Sequence, residues 1–232
     1  MPISIILPCY NPLKNWHIHV AANISRLKEK LNQQDIEVIV VNDGSTNNNI
    51  THVEIDFLKQ QLPNFKYLNN AVNKGKGYTL RAGVNVANGD IIIYTDIDFP
   101  YTDESFLQIL NSLDENQLAI GVRGDSYYRK VGIARLIISK LLKWLIKLFF
   151  KIPTNDTQGG LKGFTSQVKP IFLSTAINRY LFDLEFVYLC SRKNIKTSLV
   201  PVTLRPNLKM SRMNWKILLS ESVNLFKILI KA

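Results

Sequence analysis

Two cysteines among 232 residues, Cys9 and Cys190, are too few and too far apart for a disulfide framework, and no C-x-x-C spacing suggests a zinc or redox site. Both read as small core hydrophobes in a reducing, cytosolic setting. Histidine is also scarce: His17, His19 and His52 have no cysteine or acidic partner at metal spacing, which argues against a histidine-built metal centre. The chain has no G-x-S-x-G elbow and no G-x-x-x-x-G-K-[ST] loop, so serine acyl hydrolysis and a P-loop are unsupported. The opening MPISIILPCYN lacks a basic leader and a cleavage site, and is too short to span a bilayer. Acid is in short supply, with 18 Asp and Glu against 29 Lys and Arg, leaving a formal net charge of +11. Such an excess calls for an anionic partner, whether nucleic acid, a phosphorylated ligand or an anionic membrane surface.

What is present begins with a repeated strand signal. Apolar runs at 3–9, 36–42, 65–68, 90–95 and 118–123 alternate with longer segments of helical spacing. Strands apolar on both faces need helices on both sides, so the pattern predicts a doubly wound α/β domain with a mostly parallel sheet. In such sheets ligands gather beyond the carboxyl ends of the strands. The segments there are PCYNP, NDGSTNN, NKGKG, DIDFP and RGD, so polar, glycine-rich and carboxylate residues meet on one rim.

Beyond Asp125 the composition changes. From 131 to 151 the chain is almost wholly apolar apart from Arg135, Ser139, Lys143 and Lys147 at every fourth position. Each lysine at the centre of a spanning helix costs about 3 kcal/mol, so an interfacial helix with lysines among lipid phosphates fits better than a span. The plain alternative is a core helix. A second amphipathic stretch covers 213–231, with Trp215, Leu218, Leu219, Val223, Phe226 and Ile230 on one face. The expected organisation is one domain over 1–232, with two halves, 1–125 and 126–232, that meet at this change of composition. With no spanning helix before Ala232, attachment to a membrane is expected to be peripheral or through a membrane-protein partner.

Asp96 and Asp98 lie two apart after a buried strand, so on extended backbone their carboxylates share a side. Two hard oxygen ligands suit Mg²⁺ or Mn²⁺ completed by water and a diphosphate. The competing reading is a solvated turn. Asp43, closing VIVVND, is placed to accept from a base N–H or ribose hydroxyls, or else to make an Asx turn into a helix. The NKGKG turn, with Lys74 and Lys76 before a helix, offers an anion site at a helix N-terminus.

In order and spacing, SIILPCYN, VIVVNDGSTNN, NKGKGYTLRAGVNVANGDIIIYTDID and GVR resemble the nucleotide-sugar domain of inverting family 2 glycosyltransferases of the GT-A fold. The later NDTQGGLKGFT, RYLFDLEFVYLC and VPVTLRPNLKMS are similar to the polyprenyl-phosphate branch, which includes dolichyl-phosphate β-glucosyltransferases and, more distantly, dolichyl-phosphate mannose synthases. The resemblance implies that Pro8, Tyr10, Asp43, Lys76 and Asp96 bind the nucleotide-sugar (a UDP- or GDP-sugar), with Asp98 and Asp96 holding Mg²⁺ or Mn²⁺. It implies Arg123, Arg135, Ser139 and Arg205 as contacts to the acceptor phosphate, and Asp156 and Arg123 as catalytic residues, with Asp156 beside the sugar. Pro12 stands where the family commonly has Glu, Asn42 where many members have Asp, and Pro100 where mannose synthases can use a Gln ligand. Those departures point away from mannose and GDP and put metal ligation mainly on Asp98.

The expected reaction moves a hexose, glucose or a relative, onto a dolichyl or undecaprenyl phosphate with inversion. The expected place is the cytoplasmic, inner face of a membrane, in cell-envelope or glycan biosynthesis, with no nucleic acid involved. A lipid phosphate is already anionic, so it needs arginines for positioning more than a general base. Two alternatives stand beside this reading: transfer to a sugar hydroxyl, which needs a proton acceptor such as Asp156, and a non-catalytic protein binding anionic lipid.

Overall fold

The computed structural model describes residues 1–32, 35–124, 146, 148, 150, 152–154, 156, 157 and 159–206. Isoleucine and valine dominate β1 (Ile3–Cys9), β2 (Ile36–Asn42) and β4 (Ile91–Tyr94), and these strands are buried along almost their whole length. β-Branched side chains pack well on a pleated surface, and their continuous runs require cover on both faces. Together with β3 (Phe65–Asn69), β5 (Leu118–Arg123), β6 (Lys162–Thr165) and β7 (Thr197–Val202) they form one sheet in the order β3-β2-β1-β4-β6-β5-β7. All pairings are parallel except those of β6, which runs antiparallel to both β4 and β5.

On one face, Trp16, Val20, Ile24 and Leu27 of α1 (Trp16–Leu31) repeat at helical spacing and pack on Ile3, Ile5 and Leu7. Ile55 and Leu58 of α2 (His52–Gln61) and Phe106 and Ile109 of α4 (Asp103–Ser112) complete that layer. The other face carries α3 (Lys76–Val86), α5 (Lys169–Leu173) and α6 (Phe182–Arg192). There Phe172 stacks on Phe164 at 5.3 Å between ring centroids and meets Phe186 edge-on at 4.8 Å. Each such side chain, fully buried, contributes roughly 1.5–3 kcal/mol relative to exposure. The α2 start is held by a capping box: Thr51 Oγ1 accepts from the Val53 amide, and the Thr51 amide donates to Glu54.

The five expected strands are present. The fourth is shorter than expected, Ile91–Tyr94 rather than 90–95, because the chain begins to turn at Asp96. Chain leaving β1 crosses to β2 on one side while β4 lies on the other, and this reversal opens a crevice at the carboxyl ends. Among the described residues no helix is long and apolar enough to cross a membrane. The stretches 131–151 and 213–231, with Arg135 and Ser139, lie outside the described residues except for Ile146 and Phe150, which are buried on the α6 side, and Leu148, which is exposed.

Candidate active site

The chain leaves β4 through Thr95 and turns at once. The Phe99 amide donates to the Asp96 carbonyl at 3.0 Å, and Phe99 takes a positive φ of 47°. Asp96 and Asp98 therefore sit in a tight turn, not on extended backbone, and the alternation expected from strand geometry does not place them. Electrostatics still couples them. Crowding by protein and the neighbouring Asp96 charge push the Asp98 carboxyl above the usual range, although its side chain reaches solvent. Asp96 is partnered: Lys76 Nζ, from the first residue of α3, lies 2.5 Å from its Oδ1. Burial acts to lower the Lys76 pKa, but Asp96 and, behind it, Asp183 outweigh it and raise it.

Opposite this turn, the β1–α1 and β2–α2 loops are tied together. Asn11 takes the left-handed conformation, its amide donating to Ser45 Oγ and its Oδ1 accepting from the Thr46 and Asn47 amides. Pro8, half-buried in β1, and Tyr10, half-exposed just beyond it, stand at this seam. Asp43 is buried, and its carboxylate accepts four hydrogen bonds: at Oδ1 from Lys74 N (2.8 Å) and Asn70 Nδ2 (3.3 Å), at Oδ2 from Gly75 N (3.0 Å) and Asn73 Nδ2 (3.0 Å). A carboxylate has about four lone-pair positions, so this one is filled by its own protein. Asp43 thereby clamps the 70–75 loop, and a base or ribose donor would have to share one of these acceptor positions or displace its partner. The NKGKG turn differs from expectation for the same reason. The anion at the Lys74 and Gly75 amides is Asp43, and the Gly77 and Tyr78 amides donate to the Asn178 carbonyl.

Arg123 ends β5 and grips Asp156. Its backbone amide and Nε donate to Oδ2 at 2.8 and 3.2 Å, and Nη2 donates to Oδ1 at 2.5 Å. Both side chains are nearly buried. Such a fork fixes the carboxylate in plane and orientation. Arg205 goes elsewhere. Its Nη2 pairs with Asp103 at 2.7 Å and its Nε donates to the Tyr101 carbonyl, so it joins Arg26 and Lys30 around Asp103. Arg205, expected to meet a phosphate, is here held by Asp103 at the start of α4 with part of its side chain still exposed. Residues 203–205 strap the D-x-D segment from behind, through Thr102 N to Thr203 O and Arg205 N to Pro100 O.

Sequence reasoning gave no role to the groups beneath the turn. Lys162 of β6 is completely buried, and its Nζ donates to Asp183 Oδ1 and to the Gly159 carbonyl, both at 2.6 Å. Tyr94, opposite Lys162 in the sheet, donates its hydroxyl to the same Asp183 oxygen at 2.6 Å. Burial pulls the Lys162 pKa down against the attraction of Asp183, and burial with the Asp183 charge lifts the Tyr94 phenol well above its ordinary range. The available signal was a lysine inside the otherwise apolar LKGFT, since a charge in a central strand needs a buried partner. Gly160 lies against the turn. A Cβ there would come within 2.7 Å of Asp96 Oδ2, and its amide donates to Tyr101 OH at 2.8 Å.

Two adjacent carboxylates, one with its pKa raised by crowding and by the charge of the other, match a divalent cation that keeps water and phosphate ligands. Among the described residues no third acidic, histidine or cysteine ligand joins them. The residues present therefore fit a two-carboxylate site with several open positions, held mainly by Asp98.

The model of glycosyl transferase family 2 matches residues 4–174. The chain belongs to that family. Its relatives include dolichyl-phosphate beta-glucosyltransferase ALG5A of Trichomonas vaginalis, 29% identical over 210 residues, covering 86% of this chain and 64% of that protein. The dolichyl-phosphate beta-glucosyltransferase of Saccharomyces cerevisiae is 26% identical, covering 87% of this chain and 66% of the yeast protein. The human one is 29% identical, covering 81% and 62%. The chain thus spans just under two thirds of the length of these family 2 relatives. Among solved structures, glucosyl-3-phosphoglycerate synthase from Mycobacterium tuberculosis, crystallised with Mn²⁺, UDP and phosphoglyceric acid, superposes with a TM-score of 0.63 at 16% identity, covering 99% of this chain and 78% of that one. That likeness establishes the GT-A architecture.

Proposed function

We propose that this family 2 chain transfers glucose from UDP-glucose to a dolichyl or related polyprenyl phosphate, with inversion, working from the cytoplasmic face of a membrane that it touches peripherally. The observation that carries the reading is the Asp96–Asp98 turn with Lys76 on the sheet rim, in a chain similar over most of its length to dolichyl-phosphate glucosyltransferases. UDP is favoured because the similar fold from M. tuberculosis was crystallised with it. Asp98, with Asp96, would hold Mg²⁺ or Mn²⁺, which when bound neutralises charge growing on the leaving diphosphate. Lys76 is within reach to take up phosphate charge from the other side of Asp96. Asp156 already receives three hydrogen bonds from Arg123, which suits it to orient the sugar or the acceptor and not to remove a proton. An acceptor phosphate needs no base, since it arrives ionised and attacks with its own oxygen. This favours the phosphate acceptor over a sugar hydroxyl.

The test is transfer of labelled sugar by the purified protein with Mn²⁺ or Mg²⁺, offering UDP-glucose or GDP-mannose, each labelled in its sugar, as donor and a polyprenyl phosphate or an oligosaccharide as acceptor. Label in a lipid-phosphate product, from UDP-glucose and only with metal, is the expected result. Transfer to the oligosaccharide alone would overturn the acceptor assignment.

A further inference from the structure

Burying a lysine in the centre of a sheet is costly unless every one of its charges and donors is answered. Lys162 is answered on two sides, and the second is informative. Asp183 on α6 supplies the counter-charge, while the Gly159 carbonyl is a loop group one peptide away from the site. That peptide leads to Gly160, which is close enough to Asp96 that any side chain there would push the carboxylate aside, and whose amide donates to the Tyr101 hydroxyl. The contacts run in one line: α6 through Asp183, β6 through Lys162, the Gly159–Gly160 peptide, the Asp96 carboxylate, and Lys76 at the head of α3. Two lysines and two aspartates alternate along it, and each lysine feels the other's aspartate or ammonium.

We propose that Lys162 and Asp183 are positioning residues for the donor site: by fixing the Gly159 carbonyl they set the wall against which Asp96 rests, and so set how the D-x-D turn presents itself to a divalent cation and a nucleoside diphosphate. The proposal rests on the cation and donor-site reading given above. A purely structural ion pair would serve equally well as an apolar contact between β6 and α6. A positioning pair would not, because only an ammonium bonds the carboxylate and the carbonyl together.

The experiment uses the whole chain and compares wild type with Lys162→Met and the double variant Lys162→Met/Asp183→Asn. Melting temperature reports the fold, and the half-saturating Mn²⁺ concentration in the presence of UDP, read by Mn²⁺ electron paramagnetic resonance, reports the site. The single variant leaves the buried Asp183 charge without its counter-ion, held only by the Tyr94 hydroxyl, and melts lower. The double variant removes both charges and recovers much of the melting temperature. In both, half-saturating Mn²⁺ rises by about 10–100-fold, the range for loss of a group supporting a metal ligand, and kcat falls with it. A double variant that binds Mn²⁺ within twofold of wild type would overturn the proposal, as would a single variant unchanged in both readouts. A wild type that binds Mn²⁺ with UDP but transfers no glucose would sink the acceptor reading alone, and the Mn²⁺ comparison would still decide this one.

Discussion

Replacing Asp43 with asparagine keeps its size and removes one acceptor oxygen, which makes it a sharp test of what the carboxylate does. Its two backbone donors sit on different oxygens, Lys74 N on Oδ1 and Gly75 N on Oδ2. Whichever way the new amide turns, one of those backbone N–H groups faces an NH₂, and so does the side-chain amide of either Asn70 or Asn73. A hydrogen bond to a charged group contributes about 1.5–3 kcal/mol, so two lost bonds bound the cost at about 3–6 kcal/mol. The asparagine side chain can swing toward water and the backbone cannot, which places the expected loss near about 3 kcal/mol. For a chain of this length that lowers the melting temperature by about 6–12 °C. Urea unfolding gives the free energy, and a UDP titration by calorimetry gives binding. The clamp predicts a large stability loss together with weaker UDP binding, since the 70–75 loop leads directly into Lys76. Asp43→Asn unfolding within about 0.5 kcal/mol of wild type while UDP binding disappears would refute it, because that is the pattern of a group that touches the nucleoside and little else.

Gly160→Ala places a methyl 2.7 Å from the Asp96 carboxylate; the far end of a side chain can yield, so the protein is expected to fold while its half-saturating Mn²⁺ rises at least about tenfold, checked by Mn²⁺ titration with UDP. Arg205→Ala is expected to cost about 1 kcal/mol in urea unfolding, as befits a partly exposed pair, and to leave the KM for polyprenyl phosphate within twofold; a large rise in that KM would return Arg205 to the acceptor site. Glu37 accepts from Ser4 and the Asn88 amide and pairs with Lys66 at 2.6 Å, and these contacts overcome burial to hold its carboxyl below the usual range. Its folded pKa lies below its unfolded value of about 4.3, so its contribution is complete above that pH and is lost as pH falls through the lowered pKa. Glu37→Gln should therefore flatten the acid limb of the stability curve while lowering stability at neutral pH.

The nucleotide half of the fold is legible because its strands announce themselves: IEVIVVN and IIIY are too apolar and too β-branched to be anything but central strands. β6 and β7 give no such signal. KGFT is four residues long with a lysine and a glycine inside it, and TSLVPV carries Pro201, which an edge strand tolerates. The site follows the same division. Asp96, Asp98, Lys76, Arg123 and Asp156 can be named from their motifs, but their pairings cannot. Motif spacing says nothing of which cation will be nearest once β4, β5 and β6 are side by side. That Arg123 meets Asp156, and Arg205 meets Asp103, comes from contacts across 33 and 102 positions of chain. The buried Lys162 was visible as an anomaly, but its meaning required Asp183 to arrive from α6.

The Lys76–Asp96 pair makes occupancy of the site an exchange and not an addition. A divalent cation reaching Asp96 must evict an ammonium that is already 2.5 Å from the carboxylate, and the evicted charge needs an anion to go to. The donor's diphosphate is such an anion, so cation and nucleotide each lower the barrier that the other meets. A divalent ion arriving alone would find the exposed Asp98 but gain Asp96 only by displacing Lys76, so a second carboxylate ligand would come at lower cost when the diphosphate arrives with it.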